Sequence, residues 1–330
     1  METHSKIPII SLFAGAGGLD LGFEQAGFCT IWANEYDKTI WDTYEKNFPN
    51  VKLDRRNITI VTPSEIPDCD GIIGGPPCQS WSEGGAQRGI DDERGKLFLD
   101  YIRILKEKTP KFFLAENVSG MLQPKHEKAF RKFLEEFENA GYTVSWKLID
   151  AHDYGVPQNR KRVIIVGYRN DLGKKFVFPL QSKEKAFLKH VLWDMPGAVA
   201  AKDKNKANDK LKIPNHEYMT GGFSTIYMAR NRVRGWDEPS FTIQAGGRHA
   251  PIHPNAPKMV FVSQDVRVFK PGHEHEYRRL TVRECARIQT FPDEYIFLYK
   301  DVTDGYKMVG NAVPVKLANI LANKIKEDLY

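Results

Sequence analysis

The stretch "CDGIIGGPPCQSWSEGG" (69 to 85) carries an apolar run to the surface and turns it on Pro76 and Pro77, with Cys78 immediately after. A thiolate nucleophile needs fixed geometry, and two prolines supply it by restricting φ; a buried structural cysteine needs no such frame. The run "KFFLAENV" (111 to 118) ends in Glu116 and Asn117. If the two runs are neighbouring parallel strands, their carboxyl ends lie side by side. A carboxylate beside a thiolate is unfavourable unless one holds a proton, so Glu116 reads as a proton donor. In "QNRKRVIIVG", Arg160 and Arg162 stand two residues apart at the entrance of another strand, hence on one face. Their charges suit an acceptor-rich substrate; the bland alternative is a solvated basic loop.

A second group of residues follows the first strand. "SLFAGAGGLDLGF" (11 to 23) places Gly15, Gly17 and Gly18 where backbone approaches a ligand and turns into a helix. The dinucleotide fingerprint fails, because Asp20 occupies the place of its third glycine. At the end of the next strand, "ANEYDK" offers Glu35 for both hydroxyls of a ribose and Tyr36 for stacking on a base. A ribose-bearing, phosphate-poor ligand such as S-adenosylmethionine fits better than a dinucleotide, the alternative being a tight turn beside a surface acid.

The elements that must position these groups are short apolar runs: "IPIISLF" (7 to 13), "CTIWAN" (29 to 34), "CDGIIGG" (69 to 75), "KFFLAENV", "VSWKLIDA" (144 to 151) and "RVIIVGY" (162 to 168). They read as strands buried on both faces. Between them, 126 to 140 repeats Ala129, Phe130, Phe133, Leu134 and Phe137 at helical spacing, with Gly141 as the stop. Strand alternating with helix predicts an α/β fold, a doubly wound and mostly parallel sheet whose ligands bind at the carboxyl ends of its strands. From about residue 180 to 275 prolines, paired glycines, aromatics and arginines replace that pattern, which predicts a smaller loop-rich unit. "TVRECARIQTF" then reads as an amphipathic helix, and the C-terminus is expected to return to the first unit.

At 330 residues the chain exceeds the usual single-domain size, and its net charge of +6 suits a polyanionic partner. Four cysteines, Cys29, Cys69, Cys78 and Cys285, form no CxxC pair and no metal-ligand spacing. With no apolar leader, they predict free thiols in a reducing, intracellular, cytoplasmic setting. No metal is expected, and no apolar run is long enough for a membrane. "AKDKNKANDKLK" (201 to 212) reads as a solvated loop.

"FAGAGG", "NEYD", "GGPPCQSWS", "ENV", "QNRKR", "RRLTVRECARIQTFP" and "GYKMVGNAVP" occur in the order, and near the spacing, of the motifs of DNA (cytosine-5)-methyltransferases. The chain resembles that family throughout, except over about 175 to 275, where the family places its variable target-recognition region. There, "PNHEY" and "RNRVRGWDEPSFTIQAGGR" resemble GGCC-specific modification methylases of the HaeIII type. The resemblance implies a Rossmann-like S-adenosylmethionine-dependent methyltransferase domain over 1–178, completed by 302–330, and a target-recognition domain over 179–301. It implies attack by Cys78 on C6 of cytosine, Glu116 at N3 and Arg162 on the base carbonyl, with Asn117 and Arg160 in support. S-adenosylmethionine gives its methyl group to C5 and leaves as S-adenosylhomocysteine. The base must leave the duplex stack for this.

Cofactor contacts implied by the same motifs are Phe13, Gly15, Gly17, Gly18, Glu35, Tyr36, Asn57, Ile58, Pro77, Asn311 and Ala312. Asn57 is a departure: the family has an Asp there for the adenine amino group, and an Asn carbonyl can accept the same bond. DNA contacts are assigned to Gln79, Ser80, Ser82 and Arg88, the last two in a glycine-hinged loop (82 to 96) suited to closing over DNA. In the variable region Arg230, Arg232 and Arg248 are candidate readers of guanine, with Arg234 and Lys258 on phosphates and Ile226 as a wedge. Partners are double-stranded DNA and, as a possibility, a cognate restriction endonuclease; a monomer is expected. Three readings compete: a tRNA cytosine methyltransferase, a catalytically silent DNA-binding protein and a dehydrogenase. Cys78, Glu116 and Arg162 together oppose the second, and Asp20 opposes the third.

Overall fold

The computed structural model describes residues 6–77, 93–208 and 210–330. Its centre is a seven-stranded sheet made of β1 (Ile7–Leu12), β2 (Phe28–Asn34), β3 (Lys52–Asp54), β4 (Gly71–Gly74), β5 (Phe112–Val118), β6 (Tyr142–Asp150) and β7 (Lys161–Arg169). The order is β3-β2-β1-β4-β5-β7-β6. All neighbours are parallel except β7, which runs antiparallel to both β5 and β6. The chain order therefore reverses between β1 and β4, the place where such sheets open a crevice. Because β7 is inverted, its first residues lie at the same edge as the last residues of β5.

Successive residues of the inner strands face opposite sides, as the two-residue strand period requires. Ile9, Ile73, Phe112, Leu114, Ile164 and Val166 enter one core with Phe23, Leu317 and Leu321. Ile10, Ile72, Phe113, Ala115, Val163 and Ile165 enter the other with Phe98, Tyr101, Phe133 and Phe137. Continuous apolar runs are the sequence mark of such two-sided burial. β6, at the edge, departs from it: Trp146 and Leu148 are exposed. The helices covering the sheet are α1 (Gly18–Gln25), α2 (Trp41–Asn47), α3 (Glu93–Lys108) and α4 (Glu127–Asn139). Residues 93–96, expected in the glycine-hinged loop, are the first turn of α3.

Beyond β7 come only short elements: α5 (Lys189–Leu192), β8 (Val199–Ala200), β9 (Glu217–Tyr218), α6 (Thr225–Met228), β10 (Val260–Ser263) and β11 (Val266–Val268). Tyr227, Val233, Ile252, Ala256, Met259 and Tyr277 form a small separate core, packed by Phe223 and Phe269. The chain then makes α7 (Val282–Ile288), α8 (Val302–Asn311) and α9 (Val315–Leu329). α9 returns to the sheet as expected, with Asn319 donating to the Gly22 carbonyl at 3.2 Å and Lys326 to that of Ala26 at 2.9 Å.

α7 is not amphipathic. Val282, Arg283, Glu284, Cys285, Ala286 and Ile288 are all buried. Its charged residues tolerate this because each is fully engaged, as buried charge requires. Arg283 donates to the carbonyls of Pro214, Pro292 and Tyr295, and Glu284 accepts a bidentate pair from Arg278 at 2.7 and 2.8 Å. Leu280, Val282, Phe291 and Phe297, placed by sequence in the second unit, share a core with Ala16, Tyr44, Phe48 and Met308. The small separate core thus draws on residues 223 to 277 alone.

Candidate active site

Glu116 on β5 and Arg162 on β7 are diagonal neighbours on one face, since Glu116 opposes Ile164 and Val118 opposes Arg162. Arg162 Nε meets Glu116 Oε1 at 2.7 Å, and both side chains are nearly buried, at 13% and 10% exposure. A charge pair so little hydrated is held mainly by its own geometry. Gly75, the residue after β4, lies against the carboxylate: a Cβ built there would sit 3.1 Å from Glu116 Oε2. Asn117 holds the same turn by donating to the Pro76 carbonyl at 3.3 Å. The chain thus passes Glu116 and enters the proline turn three residues before Cys78. Cys78 itself, with Gln79, Ser80, Ser82 and Arg88, lies outside the described residues; Pro77 is the last one before them.

Arg162 also lines a cleft of about 320 Å³ with Ser119, Asp150, Asn159, Lys161 and Thr242. Five of these six belong to the β5, β6 and β7 ends, and Thr242 comes from the variable region. Arg160 does not share the cleft. Its side chain is 1% exposed, and its guanidinium donates to the carbonyls of Ile243, Gly310 and Ala312 at 2.9 to 3.1 Å. Spacing by two predicted one shared face; the reason it fails is that Arg160 precedes β7 and turns into the junction with α8.

At the other half of the edge, Phe13 has φ 54° and Gly17 has φ 70°. Left-handed backbone at a phenylalanine costs about 1–3 kcal/mol, a strain that clusters at functional sites. Glu35 stands between the turns: Oε2 accepts from Gly15 N at 2.9 Å and Oε1 from Asp37 N at 2.7 Å. Burial pushes its carboxyl upward against the pull of these N–H groups. Each oxygen keeps a second acceptor position, so two hydroxyls can still be bound. Tyr36 beside it is 67% exposed, an aromatic face open for stacking. Asn57 caps a short helical turn by accepting from Thr59 N at 3.1 Å, which leaves its carbonyl one free acceptor position. Ile58 is buried with Val61 and Ile66, so only its backbone can face a ligand. Asn311 is exposed at the end of α8, joined to this edge by a 2.8 Å ion pair between Lys307 and Asp37.

Asp20 is a residue whose role sequence did not supply. It is fully buried under the glycine turn, accepting from Tyr44 OH at 2.7 Å and Ser11 Oγ at 3.0 Å. Burial outweighs these bonds and raises its carboxyl to about 6. Burial likewise pushes the Cys69 thiol up to about 12, which suits a structural cysteine. Nothing local in the sequence marks Gln158 and Gln289 as buried or Thr242 as lining the cleft.

The arginines of the variable region divide. Arg232 donates to the carbonyls of Tyr227 and Ile226 at 2.8 and 3.1 Å, and Arg234 pairs with Glu238 at 3.1 Å over the Phe241 ring. Lys258 pairs with the same Glu238 at 3.3 Å. Arg230 and Arg248 are exposed and carry no hydrogen bond or ion pair to a described residue. Ile226 is 76% exposed on α6. No group of His, Cys, Asp and Glu among the described residues is placed to hold a metal, and no described helix is long and apolar enough to cross a membrane.

A family model for C-5 cytosine-specific DNA methylases matches residues 7–327. The chain is 57% identical to the type II methyltransferase M.FnuDI of Fusobacterium nucleatum, over 97% of this chain and 94% of that one. It is also 57% identical to M.MthTI of Methanothermobacter thermautotrophicus, over 98% of each. Among solved structures, an Entamoeba histolytica methyltransferase, EhMeth, superposes with TM-score 0.73 over 99% of this chain and all of that one, at 18% identity, a likeness of fold.

Proposed function

Because the chain belongs to the C-5 cytosine-specific DNA methylase family, we propose that it methylates the inner cytosine of GGCC in double-stranded DNA as the modification enzyme of a type II system. The observation that carries the catalytic reading is the buried Glu116–Arg162 pair, whose arginine lines a cleft and whose carboxylate lies against Gly75, three residues before Cys78. The enzyme uses S-adenosylmethionine, which supplies an electrophilic methyl group when bound. The residues at the glycine turn fit such a ligand: Gly15 has open space where a Cβ would be, and Glu35 has acceptor capacity to spare. Phe13, Gly17, Gly18, Tyr36, Asn57, Pro77 and Asn311 complete that side. The Ile58 side chain is buried, which leaves its backbone to contribute, whereas Ala312 is buried with its N–H donating to the Val309 carbonyl and its own carbonyl taken by Arg160 and Gln289, so it supports this edge from behind.

In this reading the target base leaves the stack and enters the cleft, at a cost of a few kcal/mol that pocket contacts offset. Cys78, its thiol proton lost to solvent, forms a bond from its thiolate to C6 while Glu116, which takes up a proton from solvent as the base enters, delivers it to N3 and Arg162 holds the base carbonyl. The electron pair moved to C5 takes the methyl group. Loss of the C5 proton to a base then restores the double bond and expels the thiolate, and N3 returns its proton to Glu116. Arg162 keeps Glu116 oriented before substrate arrives, so the pair need not reorganise during the reaction. Arg230 and Arg248, exposed and unengaged, are the guanine readers; Arg232 and Arg234 support the segment that carries them. The recognition unit is centred on the small core of residues 223 to 277. The enzyme works as a monomer, one strand at a time, and a cognate endonuclease would share its site without needing to touch it.

The test uses duplexes carrying 5-fluorocytosine, whose C5 fluorine cannot leave and so traps the covalent adduct. Protein and S-adenosylmethionine are incubated with a GGCC duplex, a scrambled duplex and a tRNA, and intact masses are compared. The expected result is an adduct on GGCC alone, absent in Cys78→Ser, whose turnover falls about 10³-fold or more. An adduct on tRNA alone overturns the substrate, and one persisting in Cys78→Ser overturns the nucleophile.

A further inference from the structure

The segment 240–245 of the variable region is bolted to the catalytic unit by buried amides rather than by apolar packing alone. Gln158 and Gln289 are both fully buried, and Gln158 Nε2 donates to Gln289 Oε1 at 2.9 Å. Gln158 Oε1 accepts from Ile243 N at 2.9 Å, while the carbonyl of Ile243 accepts from Arg160 at 3.1 Å. Both polar groups of the Ile243 main chain are therefore held by side chains of the approach to β7. On the far side Gln289 Nε2 donates to the carbonyls of Val309 and Ala312, at 2.9 and 3.2 Å. Arg160 reaches the carbonyls of Gly310 and Ala312 as well. These carbonyls flank Asn311, at the edge proposed to hold the cofactor. Contact is direct too: a Cβ on Gly310 would lie 2.3 Å from the backbone of Gln244.

One relay thus touches three places: the recognition segment through Ile243, next to the cleft residue Thr242; the strand that carries Arg162; and the α8 terminus beside the cofactor edge. Four such bonds with no solvent access have few alternative arrangements, because any displacement leaves an amide or carbonyl unpaired, at about 1–3 kcal/mol each. A relay of this kind makes the positions of its ends interdependent. We propose that Gln289, acting through Gln158, is a positioning residue that couples DNA recognition to cofactor binding: DNA seated on the recognition segment fixes the α8 terminus and tightens the cofactor site, and by linkage the cofactor tightens DNA binding equally. The inference rests on the proposed reading of the two ligand edges.

The test measures S-adenosylhomocysteine affinity of the full chain by calorimetry, with and without a saturating GGCC duplex. The wild-type ratio of the two constants is expected to be about tenfold, within the usual range for coupled sites. Gln289→Met, of similar length without the amide, is expected to bring that ratio near one while cofactor affinity without DNA changes less than about threefold. Gln158→Met, which breaks the relay from the other side, is expected to do the same. A merely structural role moves both constants together and preserves the ratio, and that result overturns the proposal. A wild-type ratio of one also overturns it, as does failure of both variants to fold, which would assign the amides to stability. Absence of any duplex or cofactor binding by the wild-type protein would instead sink the reading of the ligand edges.

Discussion

The carboxyl edge of the sheet and the small core of residues 223 to 277 present the same residue type, arginine, in two settings. At the sheet edge a strand fixes Arg162, and the register with β5 dictates that its partner is Glu116. Along the segment that builds the small core four arginines fall within 19 positions, from Arg230 to Arg248, yet two are occupied by neighbouring carbonyls and a carboxylate and two are open. A regular element assigns a side chain its neighbour through periodicity. A loop-rich unit assigns it through tertiary folding, so a count of arginines there says little about which can read a base.

Six substitutions test that contrast. Glu116→Gln keeps shape and removes the acid, so turnover should fall about 10²–10⁴-fold with duplex binding retained; a near-normal single-turnover rate would strip the sheet edge of its proton donor. Asp20 tests the same edge by stability. Its folded-state value near 6 lies above the ordinary 3.8, so the protonated form favours folding. That contribution is complete below about pH 3.8 and is lost as pH rises through 6, a difference of roughly 3 kcal/mol at about 1.4 kcal/mol per unit. Denaturation midpoints of Asp20→Asn should lack this slope, and a slope identical to wild type would exclude Asp20 as its source.

On the recognition side, Arg230→Ala and Arg248→Ala should each lose about 1–3 kcal/mol of discrimination at one guanine, read from kcat/KM on single-substituted duplexes. Arg232→Ala should leave the ratios between duplexes unchanged and lower stability by about 1 kcal/mol, having lost its carbonyl bonds. Reversal of the two patterns would mean that Arg232 leaves its carbonyls on binding DNA. The smallest effect is expected from Ile226→Ala, a several-fold rise in the KM for duplex; unchanged binding and turnover would remove its role as a wedge.

Much of this arrangement was legible. Six strands and the Phe130–Phe133–Phe137 helix follow from apolar runs and a helical period, because burial on two faces or one writes itself directly into residue order. β3, three residues long, carries too little pattern to see. The charges of α7 suggest an amphipathic helix, because its own residues do not show Arg278 or the carbonyls that accept from Arg283. Arg160 was misread beside Arg162 for a related reason: the two-residue rule holds within a strand, and Arg160 precedes one.

Residue order alone determined the sheet, the end of it that gathers Glu116, Asn117, Glu35 and the glycine turn, and the chemistry those types permit. Each of these depends on interactions between near neighbours or on strand periodicity. Only the tertiary structure decided that Arg162 faces Glu116 while Arg160 is buried at the α8 junction, that Asp20 is submerged, that Arg230 and Arg248 remain open, and that Gln158 and Gln289 join three distant segments. The physical reason is desolvation: whether a polar group is a tool or a bolt depends on which carbonyls and charges replace its water, and for Arg160 those come from as far as 152 positions away.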